Sequence, residues 1–336
     1  MALKGAGFVT LADVAKKGDK VAEVLTLTNS MLKDIPYTEM NEKTIHKESI
    51  RSFLPRPKYR KANQAIAPSK SGIEERTFSA SHFESRSQMD AKVAERGGKD
   101  RVALNRWNQA MGHIQGMANE HASLLIYGSP SGEGNKEPGL ADIYYTVTPA
   151  TSETAKNVVN AGGSGSDNTS IWMCNWSSQS LFGVYPAGTN AGLKRTDYSE
   201  GGKLVQLQGL DELGAAGTFY GYDEIFEIDH GLVVKDYRQA VRIANIDVSD
   251  MKAGTGTNPQ LIDLMITGMY KLDYIPGTVI YCNREVHAIL HKQALAQVKA
   301  GGGLTFMNYG GEVVLSFNGI PVRLSDAILS TEAALA

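Results

Sequence analysis

The chain has 336 residues, with 34 Lys and Arg against 36 Asp and Glu, a formal net charge of −2, and 42% hydrophobic residues. That apolar content supports a packed core and excludes wholesale disorder, and no run reaches the roughly 20 apolar residues of a membrane helix. The charge is unevenly spread: residues 1–110 carry 20 basic and 13 acidic side chains, a net of +7, and residues 111–336 carry 14 and 23, a net of −9.

The opening MALKGAGFVTLADVAKKGDK lacks the continuous apolar stretch of a secretory signal, and Cys174 and Cys282 are too few for a multi-bridge framework, so a reducing cytoplasm is the expected setting. Residues 10–33 read as a short amphipathic helix, with Thr10 as cap, Asp13 three residues on, and Val14, Val21, Val24 and Leu25 near helical spacing. Gly18 weakens it by about 1 kcal/mol relative to Ala, so it is expected to dock on another surface.

Pro36, Pro55, Pro57 and Pro68 forbid a helix through 35–84, where Thr44-Ile45-His46 and Ile50-Arg51-Ser52-Phe53 alternate as strands do. Arg51, Arg56, Lys58, Arg60, Lys61, Lys70 and Arg76 face only two acids there, Glu74 and Glu75, and few apolar residues accompany them. The segment predicts a long basic hairpin projecting from the body, and an isolated hairpin of this kind needs a neighbouring surface to lie on.

Asp100 to Tyr127 carries Leu104, Trp107, Met111, Ile114, Ala118 and Leu125 at intervals of three, four or seven, which predicts a long spine helix stopped by Gly128, Pro130, Gly132 and Gly134. Ile171–Cys174 is strand-like, GVYPAGTNAGLKR is turn-rich, and 226–249 alternates well enough for two strands. A helix follows from Pro259 to Tyr274, with Asn258 as N-cap. At the end, Thr278–Cys282 reads as a buried strand, Asn283 as the cap of a helix from Arg284 to Val298, Gly301–Gly303 as its stop, and Val313–Phe317 and Pro321–Leu324 as a closing hairpin. Helix on a mixed or antiparallel sheet makes the class α+β.

Candidate chemistry is thin. His287 and His291 lie four apart on the last helix, with Cys282 upstream, a spacing used by zinc-binding helices. Ala288 stands where a zinc hydrolase needs its general-base Glu, and no third ligand is evident, so a metal-dependent hydrolase is the rival reading from a different class. GGSGSDNTS (162–170) and EGGKL (200–204) do not match the phosphate-loop spacing, and no nucleophile elbow stands between a strand and a helix. Tyr59 among the basic residues of the hairpin could stack on a base, but no nucleic-acid motif accompanies it, and protein contact is the favoured reading.

The order of parts is more specific than any one of them. A docking N-terminal helix, a basic hairpin, a spine helix and a glycine-rich α+β body follow the plan of the Hong Kong 97-type viral capsid protein. YCNREVHAILHKQAL and FNGIPVRLSDAIL resemble that fold's strand–Asn–helix and closing hairpin. GLADIY, NAGGSGSDNTSIW, GVYPAGTNAGL, VKDYRQAVRIANID and GIPVRLSDAIL resemble successive blocks of major capsid proteins of short-tailed and related bacteriophages, from about residue 100 to the end. Residues 1–99 match in layout more than in sequence.

The resemblance implies a Hong Kong 97-like capsid fold. It comprises an N-terminal arm (1–34), an extended loop (35–84), a peripheral domain (85–155 and 226–250) and an axial domain (156–225 and 251–336). It implies self-assembly through hexamers and pentamers into an icosahedral shell enclosing double-stranded DNA, in the host cytoplasm during assembly and then in the virion. Neither catalysis nor a cofactor is expected. Portal and scaffolding proteins are the expected partners, with a decoration protein as a further one, and there is no membrane partner. No N-terminal scaffolding domain is recognisable, which points to a separate scaffold. An encapsulin-like compartment shell is the near alternative. Some relatives cross-link through a Lys and an Asn, and Lys58, Lys61 or Lys70 lie in the corresponding loop, but nothing in the sequence identifies the Asn or the promoting Glu. The glycine clusters 128–139, 162–165 and 301–303 are expected hinges.

Overall fold

A computed structural model describes residues 30–95, 98–131, 136–210, 214–253, 261–273, 275–297, 304–309 and 312–336. Most of the helix expected over 10–33, the cap Asn258 and the stop Gly301–Gly303 lie outside these residues.

A helical turn at Ser30–Asp34 leads into β1 (Tyr37–Glu39). Next come β2 (Ile45–Phe53) and β3 (Gly72–Ser79), an antiparallel pair forming a two-stranded sheet of its own, with Ile45 opposite Ser79 and Phe53 opposite Gly72. Pro55, Pro57 and Pro68 keep the intervening loop out of any ladder, and every residue from 54 to 70 is exposed. β4 (Ser81–Asp90) begins one residue after β3 and leads to the spine helix, Val102–Tyr127, about 39 Å long.

The spine helix turns Arg106, Ala110, Ile114, Met117, Ala118, His121, Ala122 and Leu125 inward. Its inner face is rotated from the expected stripe at the start, where Leu104 and Trp107 are 47% and 38% exposed. Arg106 takes the inward position because buried carboxylates receive it there. The helix ends where the Gly128 N–H donates to the Leu124 carbonyl (2.8 Å) and the Gly128 carbonyl accepts from Gly139 (2.7 Å). A Cβ on Gly128 would meet the Glu137 carbonyl at 2.4 Å, and one on Gly139 would meet the Gly128 nitrogen at 2.7 Å. Glycine is therefore required at both positions for the two backbone segments to approach this closely.

The remaining strands are β5 (Val158–Asn160), β6 (Asn168–Asn175), β7 (Leu181–Tyr185), β8 (Lys194–Asp197), β9 (Val205–Leu210), β10 (Ala216–Val234), β11 (Ala240–Asp247), β12 (Thr278–Cys282), β13 (Leu304–Tyr309), β14 (Glu312–Phe317) and β15 (Ile320–Leu324). The 19-residue β10 begins ten residues before the alternation that announced it, and β13 had no sequence counterpart.

The first sheet has six strands, in the order β1-β7-β10-β4, with β8 and β9 also paired to β10. The spine helix covers this sheet through Ala110, Ile114, Met117 and Ala118 against Phe226 and Ile228. The second sheet has seven strands, in the order β13-β14-β15-β12-β6-β11-β5, and is mixed: β12 runs parallel to β15 and antiparallel to β6. The helices Leu261–Met269 and Arg284–Gln297 close one face, packing Leu261, Met265, Val286 and Leu290 on Ile171, Met173, Val241 and Ile280. The other face receives the end of the spine helix (Ala122, Leu125, Ile126) with Met31, Leu32 and Tyr144 against Trp172, Cys174 and Tyr281. Covered on both sides, β6 is buried at all eight residues, and its apolar centre Ile171–Cys174 shows no alternation for that reason.

Residues 226–250 do not keep to one layer. Residues 226–234 lie in the six-stranded sheet and 240–247 in the seven-stranded one, with a helical turn at Tyr237–Gln239 between. Residues 156–225 are divided in the same way, β5 and β6 from β7, β8 and β9.

Asn283 caps its helix as expected: its side-chain oxygen accepts from the Val286 N–H (2.9 Å), and its amide donates to the Thr169 hydroxyl (3.0 Å), tying the helix start to β6. Asn283→Ala removes both bonds at a buried site and is expected to destabilise the subunit by about 1–2 kcal/mol in urea unfolding. A loss near zero would show that the cap contributes nothing.

Candidate assembly surface

The exposed loop takes its character from what the hairpin cannot do. With prolines at 55, 57 and 68 and no apolar run, 54–70 can neither extend the β2–β3 ladder nor fold onto the body. Arg56, Lys58, Arg60, Lys61 and Lys70 are all exposed, and none forms an ion pair with another described residue. Arg76 is exposed on β3 opposite Glu48, and Arg51 sits on β2 opposite Ile73. The structure thus brings the seven predicted basic residues onto one hairpin. Leu54, Tyr59 and Ile66 stand fully or half out among them, giving the loop apolar anchors as well as charge.

The root of the hairpin is fixed where its tip is free. Glu48 accepts from Lys235 of the β10–β11 connection (2.8 Å) and lies 3.2 Å from His46 Nε2. The His46 ring meets Phe182 edge-on at 5.7 Å. Asn41 grips Lys47 with two bonds, its amide to the carbonyl and its side-chain oxygen from the N–H.

Behind the hairpin, the spine helix is locked to the six-stranded sheet by buried charges. Arg106 Nε donates to Glu224 (2.7 Å) and its Nη2 to Asp197 (2.8 Å), while Arg195 donates to the other Glu224 oxygen (2.7 Å). Two guanidinium groups and two carboxylates balance, and Arg106 also lies 4.6 Å over the Tyr222 ring. Next to them, Arg86 holds Asp223 with two bonds, and this hydrogen bonding keeps the Asp223 carboxyl below its ordinary range. Sequence reasoning missed this cluster. Its one visible trace was a charged residue, Arg106, four places before Ala110 and eight before Ile114 on an otherwise apolar face.

A second buried pair ties down the chain end. Glu332 accepts from Arg242 Nη2 (2.9 Å) and from the hydroxyls of Ser170 and Tyr127.

His287 and His291 stand on adjacent turns with ring centroids 6.4 Å apart, and His291 packs against Phe306 at 5.1 Å. Burial and then the nearby His291 lower the His287 pKa. Cys282 is buried in the apolar core, which pushes its thiol pKa up. No group of three His, Cys, Asp or Glu able to hold a metal occurs among the described residues. The hydrolase reading therefore lacks a ligand set there.

A family model described as major capsid protein GP7 matches residues 13–336. No curated protein matches the chain. The near-atomic structure of bacteriophage Epsilon15 matches at 32% identity and a TM-score of 0.68, over 100% of this chain and 99% of that one. The bacteriophage JBD30 capsid matches at 9% identity over 97% and 96%, with a TM-score of 0.49. The SrpI encapsulin complex of Synechococcus elongatus PCC 7942 matches at 10% over 65% and 87%, with a TM-score of 0.42. Both are too distant to add to the argument. On the family match along nearly its whole length and on end-to-end similarity to Epsilon15, the chain belongs to the major capsid protein GP7 family and has the Hong Kong 97-like fold.

Proposed function

We propose that copies of this chain assemble as hexamers and pentamers into a closed icosahedral shell around double-stranded phage DNA, with the basic loop 54–70 lying on a neighbouring copy. The observation that carries the loop's role is its isolation. Five cationic side chains stand exposed and form no ion pair with another described residue, while residues 111–336 carry a net charge of −9. Surfaces of opposite sign on one chain suit identical partners, and many weak contacts of this kind add up around a closed shell while each stays correctable. The mildly acidic remainder also limits adhesion to packaged phosphate.

In this reading residues 1–34 are the arm and 35–84 the extended loop. Sheet membership supports grouping β4, β7–β10 and the spine helix as the peripheral unit, and β5, β6 and β11–β15 with their helices as the axial unit. Portal and scaffolding proteins are the partners proposed for assembly in the host cytoplasm, and a decoration protein is proposed for the finished virion. The role is structural and calls for no catalysis.

Electron microscopy of the purified protein, with and without a co-expressed scaffold, tests the reading. Shells or isolated hexamers and pentamers are expected. A monomer or dimer in both preparations, carrying stoichiometric zinc, would overturn it in favour of the hydrolase.

A further inference from the structure

β10 changes partner at one residue. Through His230, opposite Ser81, it pairs with β4; from Gly231, opposite Val184, it pairs with β7. At this junction the His230 ring meets His121 of the spine helix, with centroids 4.4 Å apart and planes inclined by 65°. Both histidines are buried. Tyr37 of β1 completes the group. Its ring lies across Gly183, where a Cβ would come within 2.4 Å of it, and its hydroxyl lies 3.1 Å from His121 Nε2 and 3.4 Å from His230 Nδ1. Phe83 of β4 closes the site, 5.9 Å from His121.

One hydroxyl and two neutral imidazoles satisfy each other: one ring N–H donates to the tyrosine oxygen, whose own O–H donates to the other ring. An added proton leaves three donors for too few acceptors and places a cation in an apolar pocket.

The surrounding charged groups offer no compensation. On the spine helix, Glu120 reaches Lys136 (3.7 Å) and His113 bonds Ser85 (2.7 Å). On β4 and β10, His82 pairs with Asp229 (2.8 Å) and lies 4.0 Å from Glu84, while Glu227 takes Lys194 (2.7 Å). On β1, Glu39 accepts from the Gly188 N–H (2.7 Å), and near the start of β4, Glu137 accepts from the Ser79 hydroxyl (2.6 Å). None of these carboxylates hydrogen-bonds to either ring. Burial pushes the His121 pKa down to about 4, and burial together with His121 lowers that of His230.

We propose that His121 and His230, bridged by Tyr37, form an acid-operated latch that holds β1, and with it the root of the basic hairpin, against the spine helix while both rings are neutral. A single proton opens it, since it turns the accepting ring nitrogen into a further donor and leaves a cation in an apolar pocket, and the first charge disfavours a second. The sign follows from linkage. Exposed histidine takes up a proton near pH 6.5, so the latch is at full strength above that value and weakens as the pH falls toward 4.

Hydrogen–deuterium exchange, corrected for intrinsic rates, tests this on assembled shells and on dissociated subunits. The reporters are the amides of Met40 and Gly183, whose bonds to the Tyr185 and Pro36 carbonyls tie β1 to β7. Their opening is expected to rise roughly fiftyfold between pH 7 and pH 4.5, while the β11 amides stay protected. His121→Gln and His230→Asn together should flatten that rise. The wild-type profile decides even if the variant misfolds: equal protection at the two pH values, or loss only in step with β11, would overturn the latch.

Discussion

Reversing Arg56, Lys58, Arg60 and Lys61 to glutamate is expected to leave a folded subunit that forms no shells. The four side chains are exposed and paired with no described residue, so the folded state loses no contact that they make, and surface changes of this kind shift stability by no more than about 0.5 kcal/mol. Between copies the position is reversed. Four charges change from +1 to −1, so each loop shifts by eight charges and repels the acidic surface it is proposed to meet. The effect repeats at every copy in a closed shell, and a modest loss per contact removes the assembly. Thermal melting of the variant should match the wild type, and micrographs should show no closed particles. Normal shells would remove the charge of the loop from assembly.

The second large effect lies in the subunit. Glu224→Ala leaves Arg106 and Arg195, each nearly inaccessible, with Asp197 as the remaining carboxylate of the cluster. Removing one partner from a buried ionic group costs about 3–5 kcal/mol because the surviving charge stays desolvated. A loss of that size is a large part of the 5–15 kcal/mol that holds a typical domain together. Denaturant unfolding of the dissociated subunit measures it. A loss below about 1 kcal/mol would mean that water enters and solvates the arginines, and that the cluster does not lock the spine helix to the sheet. The two variants separate the levels: the first breaks contacts between copies of an intact subunit, and the second weakens the subunit itself.

The parts of the fold that were legible in the sequence are those whose signals are local. Proline spacing and a surplus of cations marked the hairpin, and Asn283 ahead of an apolar helix marked the cap that the structure forms. The spine helix was legible in its length, but its inward face was not. Hydrophobicity alone assigned Leu104 and Trp107 to the core, whereas a buried arginine with partners at 197 and 224 set the rotation. Those partners lie on β8 and β10, and no local pattern links them to the helix. The first ten residues of β10 were missed because Gly217 and Gly221 interrupt the alternation. Gly221 is required there because a Cβ would lie 2.3 Å from the Met89 carbonyl of the neighbouring strand. The histidine latch was invisible for the same reason as the ion cluster: Tyr37, His121 and His230 meet only through tertiary packing.

The long strand β10 also sets an order of events. Its pairing with β9 closes across a short connection, Leu210 to Ala216, and β8 and β7 follow at growing separation. β4 comes from far up the chain, Ser81 meeting His230, so of the partners of β10 it closes the longest loop and carries the largest closure entropy. β4 starts one residue after the hairpin ends. A polypeptide in which β4 has not joined therefore lacks one of the ties between the root of the hairpin and the six-stranded sheet. On the assembly role proposed for the loop, the longest closure made by β10 thus completes the base from which the loop projects.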